Sequence, residues 1–167
     1  MSGEPESLMT AKDKLAHFEK LIDSYLVKQG VHKIGYNEEA LKTLDMKSFE
    51  LKALTSQECG ELAFSLAQYA LYIQQQINEQ TARINWAKNN IKSMVAKKTG
   101  QFDRYIKYEE KEYAIIISDE YAGKINDILI YAQAVYDRLA YMAGRIQSLS
   151  NTLIELQRSK RRSDNVN

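Results

Sequence analysis

From Tyr121 to Leu156 the apolar residues step by four, three, four, three without a miss: Tyr121, Ile125, Ile128, Ala132, Val135, Leu139, Met142, Ile146, Leu149, Leu153 and Leu156. A strand repeats every second residue and cannot produce that spacing, whereas a helix gathers such residues on one seam. The spacing predicts one helix from about Ser118 to Leu156 with a coiled-coil-like heptad seam of five repeats. Ser118 or Asp119 is placed to cap it. Gly123 and Gly144 lie inside it at a cost of ~1 kcal/mol each relative to Ala, and would let another backbone approach closely. A second stripe, Leu129, Tyr136 and Ala143, runs beside the seam, with Ile130, Tyr131, Tyr141 and Ile154 further round. One partner helix would not cover both stripes, so the pattern predicts contact with a second helix and with something more: the N-terminal region or copies of the chain.

Nothing after Glu6 is obliged to break a helix, because the single proline is Pro5. Thr55-Ser56-Gln57-Glu58 reads as a capping box, and no breaker follows until Gly100. That predicts a second long helix to Lys98, roughly 65 Å at ~1.5 Å per residue. Its inner face would carry Leu62, Leu66, Tyr69, Ile73, Ile77, Ile84, Ala87, Ile91 and Met94. Upstream, helical spacing from Ala11 to Lys28 ends at Gly30, and Asn37 can cap a short helix through Leu44. Phe49, Leu51 and Leu54 read as a strand or an extended connector, and Gln101 to Tyr113 as a partly helical connector. The expected fold is all-α: a long antiparallel helical hairpin with a small N-terminal helical region, assembling into oligomers. The expected segments are 1–54, 55–158 and a basic polar tail, 159–167.

The 167 residues suffice for one domain. Met1 to Thr10 holds no apolar run of the kind a secretory signal needs, and the longest aliphatic run, Ala114 to Ile117, is far short of a membrane span. The lone Cys59 cannot form an intramolecular disulfide, which fits a reducing compartment. These point to a soluble cytoplasmic protein. His17 and His32 have no metal-binding spacing, and no nucleophile motif or glycine-rich phosphate loop is present. Cys59 reads as a small residue near a helix start. The pairs Glu38-Glu39 and Glu109-Glu110 read as solvated surface, since adjacent residues on a helix point apart. No catalytic residue, cofactor or metal is expected; the chain is expected to work by binding.

The net charge of +1 hides a segregation. Between Arg83 and Lys107 stand Arg83, Lys88, Lys92, Lys97, Lys98, Arg104 and Lys107 against one anion, Asp103, so the stretch carries +6 and the rest of the chain −5. Trp86, Phe102, Tyr105 and Tyr108 are interleaved with the cations. Cations follow a phosphate backbone and exposed rings stack on unpaired bases, so the mixture favours single strands over a duplex. The bland alternative is that lysines gather at a helix C-terminus because of its dipole and the rings close the core. Arg158, Lys160, Arg161 and Arg162 form a second cluster, open to the same two readings.

The arrangement also has a family likeness. A long helix carries Ala82-Arg83 with an aromatic soon after, a basic segment ends in Gly100, then come Phe102-Asp103-Arg104-Tyr105 and a long C-terminal helix. This resembles the UvsY-type recombination mediators of tailed phages, over roughly Gln68 to Arg158. The resemblance implies a closed ring of subunits that binds single-stranded DNA and helps a recombinase displace a single-strand-binding protein. It places Arg83 where the family has an arginine tied to strand binding. Two positions earlier, Thr81 stands where the family is basic, with Lys88 or Lys92 as the nearest replacements. The expected site is Arg83, Lys88, Lys92, Lys97, Lys98, Arg104, Tyr105 and Lys107. The expected partners are single-stranded DNA, a recombinase, a single-strand-binding protein and further copies of the chain. The runner-up is an oligomeric coiled-coil structural or adaptor protein, such as a virion or scaffold component, using the heptad face for partner helices.

Overall fold

The computed structural model describes residues 9–164; Pro5, most of the polar start and the last residues of the expected tail lie outside them. Seven α-helices follow in order: α1 Ala11–Lys28, α2 Glu38–Leu44, α3 Ser48–Ala53, α4 Ser56–Lys98, α5 Tyr108–Ser118, α6 Glu120–Leu139 and α7 Met142–Asp164. A 3-10 turn, Thr99–Gln101, closes α4. No strand occurs among the described residues, and no helix there is long and apolar enough to cross a membrane.

Local chemistry sets most helix ends. Thr10 and Asp13 cap α1 reciprocally, each accepting a hydrogen bond from the other's backbone N–H. Gly30, at φ 73°, ends it in a left-handed turn, with Val31 N–H donating to the Leu26 carbonyl at 3.0 Å. Asn37 Oδ1 accepts from Glu39 and Ala40 N–H at the start of α2. Thr55 and Glu58 form the expected capping box on α4. Phe49, Leu51 and Leu54 depart from expectation. Residues 48–53 are helical, and only Leu54 is extended. Glu50 Oε2 accepts from Lys47 N–H at 2.6 Å, which opens a helix there. Phe49 is exposed, so no sheet neighbour rewards the strand alternative.

The chain forms two compact units. One holds residues 9–32 with Glu79–Tyr136; the other holds Lys33–Asn78 with residues 137–164. Neither is continuous in sequence, so they cut across the expected segments 1–54, 55–158 and 159–167. Residues 159–164 of the expected tail continue α7, and Lys160 Nζ donates to the Lys52 carbonyl at 2.8 Å.

Along α4 the buried residues are Cys59, Ala63, Leu66, Ala70, Ile73, Ile77, Gln80, Ile84, Ala87, Ile91 and Val95, again stepping by fours and threes, with Ser65 and Tyr69 beside them. Leu62 and Met94, expected on this face, are only half-buried. Within that stripe Cys59, Ala63, Ala70 and Ala87 are small and let a neighbouring element come close. In the first unit Ala87, Ile91 and Val95 pack with Ala11, Ile115, Ala122 and Ile125. In the second, Ser150 Oγ of α7 donates to the Ala63 carbonyl at 2.8 Å, and Ser65 Oγ donates to Glu39 Oε2 at 3.0 Å.

The expected single C-terminal helix is two helices. A turn at residues 140–141 separates α6 from α7, close to where the chain passes from the first unit to the second. Each helix buries its own part of the seam. Ile125, Ala132, Ile146 and Leu153 are buried, while Ile128, Val135, Leu139 and Leu149 are half-buried. Met142, just past the turn, is 37% exposed and does not belong to the core. The seam thus buries mainly one position in seven. Of the glycines, Gly123 meets the expectation of close approach: a Cβ there would lie 3.4 Å from the Ile116 carbonyl oxygen. Gly144 has open space, so no neighbour explains it.

Candidate nucleic-acid interface

All eight expected site residues lie in the first unit, on the second half of α4 and the connector after it. At about 100° per residue, Lys88 and Lys92 share one flank of the buried stripe Ile84, Ala87, Ile91 and Val95. Arg83 and Lys97 fall on the other flank. The helical cations therefore straddle the packed face rather than forming one row.

Two of the seven cations are already engaged. Arg83 Nε donates to Glu19 Oε1 of α1. Lys98 Nζ donates to Asp119 Oδ2 at 2.7 Å. Asp119 also caps α6, its Oδ1 accepting from Tyr121 N–H at 3.0 Å and Ala122 N–H at 3.1 Å. The Lys98 hydrogen bond, then the Ala122 N–H, hold the Asp119 carboxyl below the usual carboxylate range, against the opposing effect of burial. Lys98 thereby ties the end of α4 to the start of α6, a structural duty that its place in a basic run does not disclose. The other five, Lys88, Lys92, Lys97, Arg104 and Lys107, are exposed, and none is in an ion pair among the described residues.

The rings divide in the same way. Trp86 and Phe102 pack against the aliphatic cluster of the first unit, and Phe18 of α1 lies 6.5 Å from Trp86 between ring centroids. Tyr105 is 78% exposed. Arg104 lies 4.8 Å from its ring centroid and donates from Nη2 to its hydroxyl at 2.8 Å. Tyr108 stands in the opposite electrostatic setting. Burial, then the carboxylates of Glu112 and Glu109, push its phenol up.

Sequence reasoning missed the two carboxylates that consume cations, Glu19 and Asp119. Glu19 is 64 residues from its partner, so no local spacing could reveal it. Asp119 is one of two candidate caps in the sequence, and its second role depends on the turn between α5 and α6. Also missed is a cluster in the second unit, where Tyr69 and Tyr72 stack at 5.9 Å and Tyr36 meets both edge-on. In that unit Arg158 pairs with Glu155 at 2.6 Å, leaving Arg161 and Arg162 exposed at the end of α7. Cys59 is fully buried, and burial pushes its thiol up, so it stays protonated at neutral pH. Among the described residues no three or more His, Cys, Asp or Glu side chains converge as a metal site would.

Comparison with protein families, with curated proteins and with solved structures finds no match to this chain.

Proposed function

We propose that the chain binds single-stranded DNA through the exposed surface between Lys88 and Lys107 and acts as a recombination mediator, loading a recombinase on the strand. The observation that carries the binding reading is the set of five exposed cations that form no ion pair among the described residues, with an exposed aromatic ring on the same connector as two of them. Each exposed lysine that neutralises a phosphate releases cations condensed on the strand, so each one adds to association and to its salt dependence. Arg83 and Lys98 are already held by carboxylates and contribute less than their place in the sequence promises. The mediator role rests on the resemblance to UvsY-type proteins, as does assembly into a ring. Linked copies of a weak site would then act at high effective concentration.

The test is fluorescence anisotropy with a labelled single strand across a salt series. Five cations predict a slope of log affinity against log salt near −3.5 per subunit engaged, at roughly −0.7 per phosphate neutralised. Replacing Lys88, Lys92 and Lys97 with Ala should weaken binding and bring the slope to about −1.4, with helicity intact. Unchanged binding would move the site elsewhere. A second reading, an oligomeric structural or adaptor protein, is favoured by the outward apolar residues Tyr113 and Ile117 of α5 and Ile130 and Tyr131 of α6. A folded oligomer with no salt-sensitive strand binding, seen by native mass with and without oligonucleotide, would select it.

A further inference from the structure

We propose that the free face of the Tyr105 ring is a stacking seat for one unpaired nucleobase. This rests on the single-strand reading above and adds to it a defined subsite.

The ring is unusually well held for an exposed loop side chain. Asp103 Oδ1 accepts from Tyr105 N–H at 2.9 Å, and the Asp103 carbonyl accepts from Ile106 N–H at 3.2 Å, so the backbone that carries the ring is a closed turn. Arg104 covers one face of the ring and holds the hydroxyl at its far end. The ring is therefore backed by a cation and tethered at its hydroxyl, while most of its surface stays open to solvent. Less rotamer freedom is left to lose when something lands on it.

A nucleotide offers a flat π surface and a negative charge in one unit, and Tyr105 with Arg104 offers the complement of both. No other ring in the segment combines these properties. Trp86 and Phe102 are packed inward, and Tyr108 stands beside Glu109 and Glu112, which would repel a phosphate. A base inside a duplex has both faces covered by its neighbours, so the seat takes unpaired bases. Every base has a π face, so it takes them without regard to sequence.

The experiment uses the full chain with a labelled oligothymidylate and a strand of the same length made of abasic sugar-phosphate. Tyr105→Ala should weaken oligothymidylate binding roughly 5- to 100-fold while leaving the salt slope and the abasic strand unaffected. Tyr105→Phe, which keeps the ring but loses the hydroxyl's bond to Arg104, should fall between wild type and Tyr105→Ala. Tyr105→Trp should bind at least as well, and its added indole emission should be quenched by the bases. Undiminished oligothymidylate binding by Tyr105→Ala, or an equal loss on both strands, would overturn the seat while leaving the lysine-based reading in place. Wild-type protein that binds neither strand would remove both.

Discussion

Thr43, Ser65 and Ser150 are buried hydroxyls in the second unit, and each donates a hydrogen bond: Thr43 to the Glu39 carbonyl, Ser65 to the Glu39 carboxylate and Ser150 to the Ala63 carbonyl. The main buried cluster of the first unit is aliphatic and alanine-rich. The polar contacts that tie its helices together, Arg83 with Glu19 and Lys98 with Asp119, are charged and partly open to water. The difference follows from what burial costs. A hydroxyl can be taken inside for one good partner, whereas an ion pair taken inside loses more hydration than its attraction returns. Charges therefore stay at the rim, where a single pair contributes little. In both units the aliphatic contacts should supply most of the stability, and the polar contacts should fix which arrangement is reached.

The largest effects should come from the shared aliphatic component. Ile91→Ala in the first unit and Leu66→Ala in the second, both essentially inaccessible to solvent, should each lower urea-unfolding stability by about 2–5 kcal/mol. A loss below about 1 kcal/mol for Leu66→Ala alone would mean that hydroxyls and tyrosines, not aliphatic packing, hold the second unit. Asp119→Ala comes next, at about 1–2 kcal/mol, because it removes a helix cap as well as the partner of Lys98. The folded Asp119 carboxyl lies below its ordinary value. Its contribution is therefore complete above the unfolded value near 4 and declines as pH falls through the folded one. Asp119→Asn, which can still cap, should show a shallower stability loss below about pH 4 than wild type. The smallest effect is expected from Ser150→Ala, about 0.5–1.5 kcal/mol, since the Ala63 carbonyl keeps its helical partner. A loss as large as that of Leu66→Ala would show that the buried hydroxyl matters far more than one hydrogen bond.

Helix type and most boundaries were legible because they are encoded locally. The Thr55–Glu58 box, the Asn37 cap and the Gly30 terminator each act within a few residues. The turn at residues 140–141 was not legible, because Ala140 and Tyr141 carry no breaking signal and the heptad spacing runs straight through them. The helices on either side belong to different units: Ile125 of α6 packs in the first cluster, while Ser150 of α7 bonds α4 in the second unit. The site was legible in its composition and only partly in its availability. Lys88, Lys92, Lys97, Arg104, Lys107 and Tyr105 are exposed, which the pattern alone left open between a binding surface and a packed turn. Arg83 and Lys98 are spoken for by residues 64 and 21 positions away. A spacing argument counts charges of one segment, and cannot subtract those that a distant segment brings to it.

The interleaving of the two units bears on how truncations should be interpreted. A fragment starting at residue 55 would strip α1 from one unit and α2 with α3 from the other, removing Ala11 from the cluster that holds Ala87 and Glu39 from the buried Ser65. Such a fragment would report damage to two cores at once, and its loss of any activity could not be credited to the missing segment. Point substitutions at exposed positions, with the whole chain present, are the sound way to map what this protein binds.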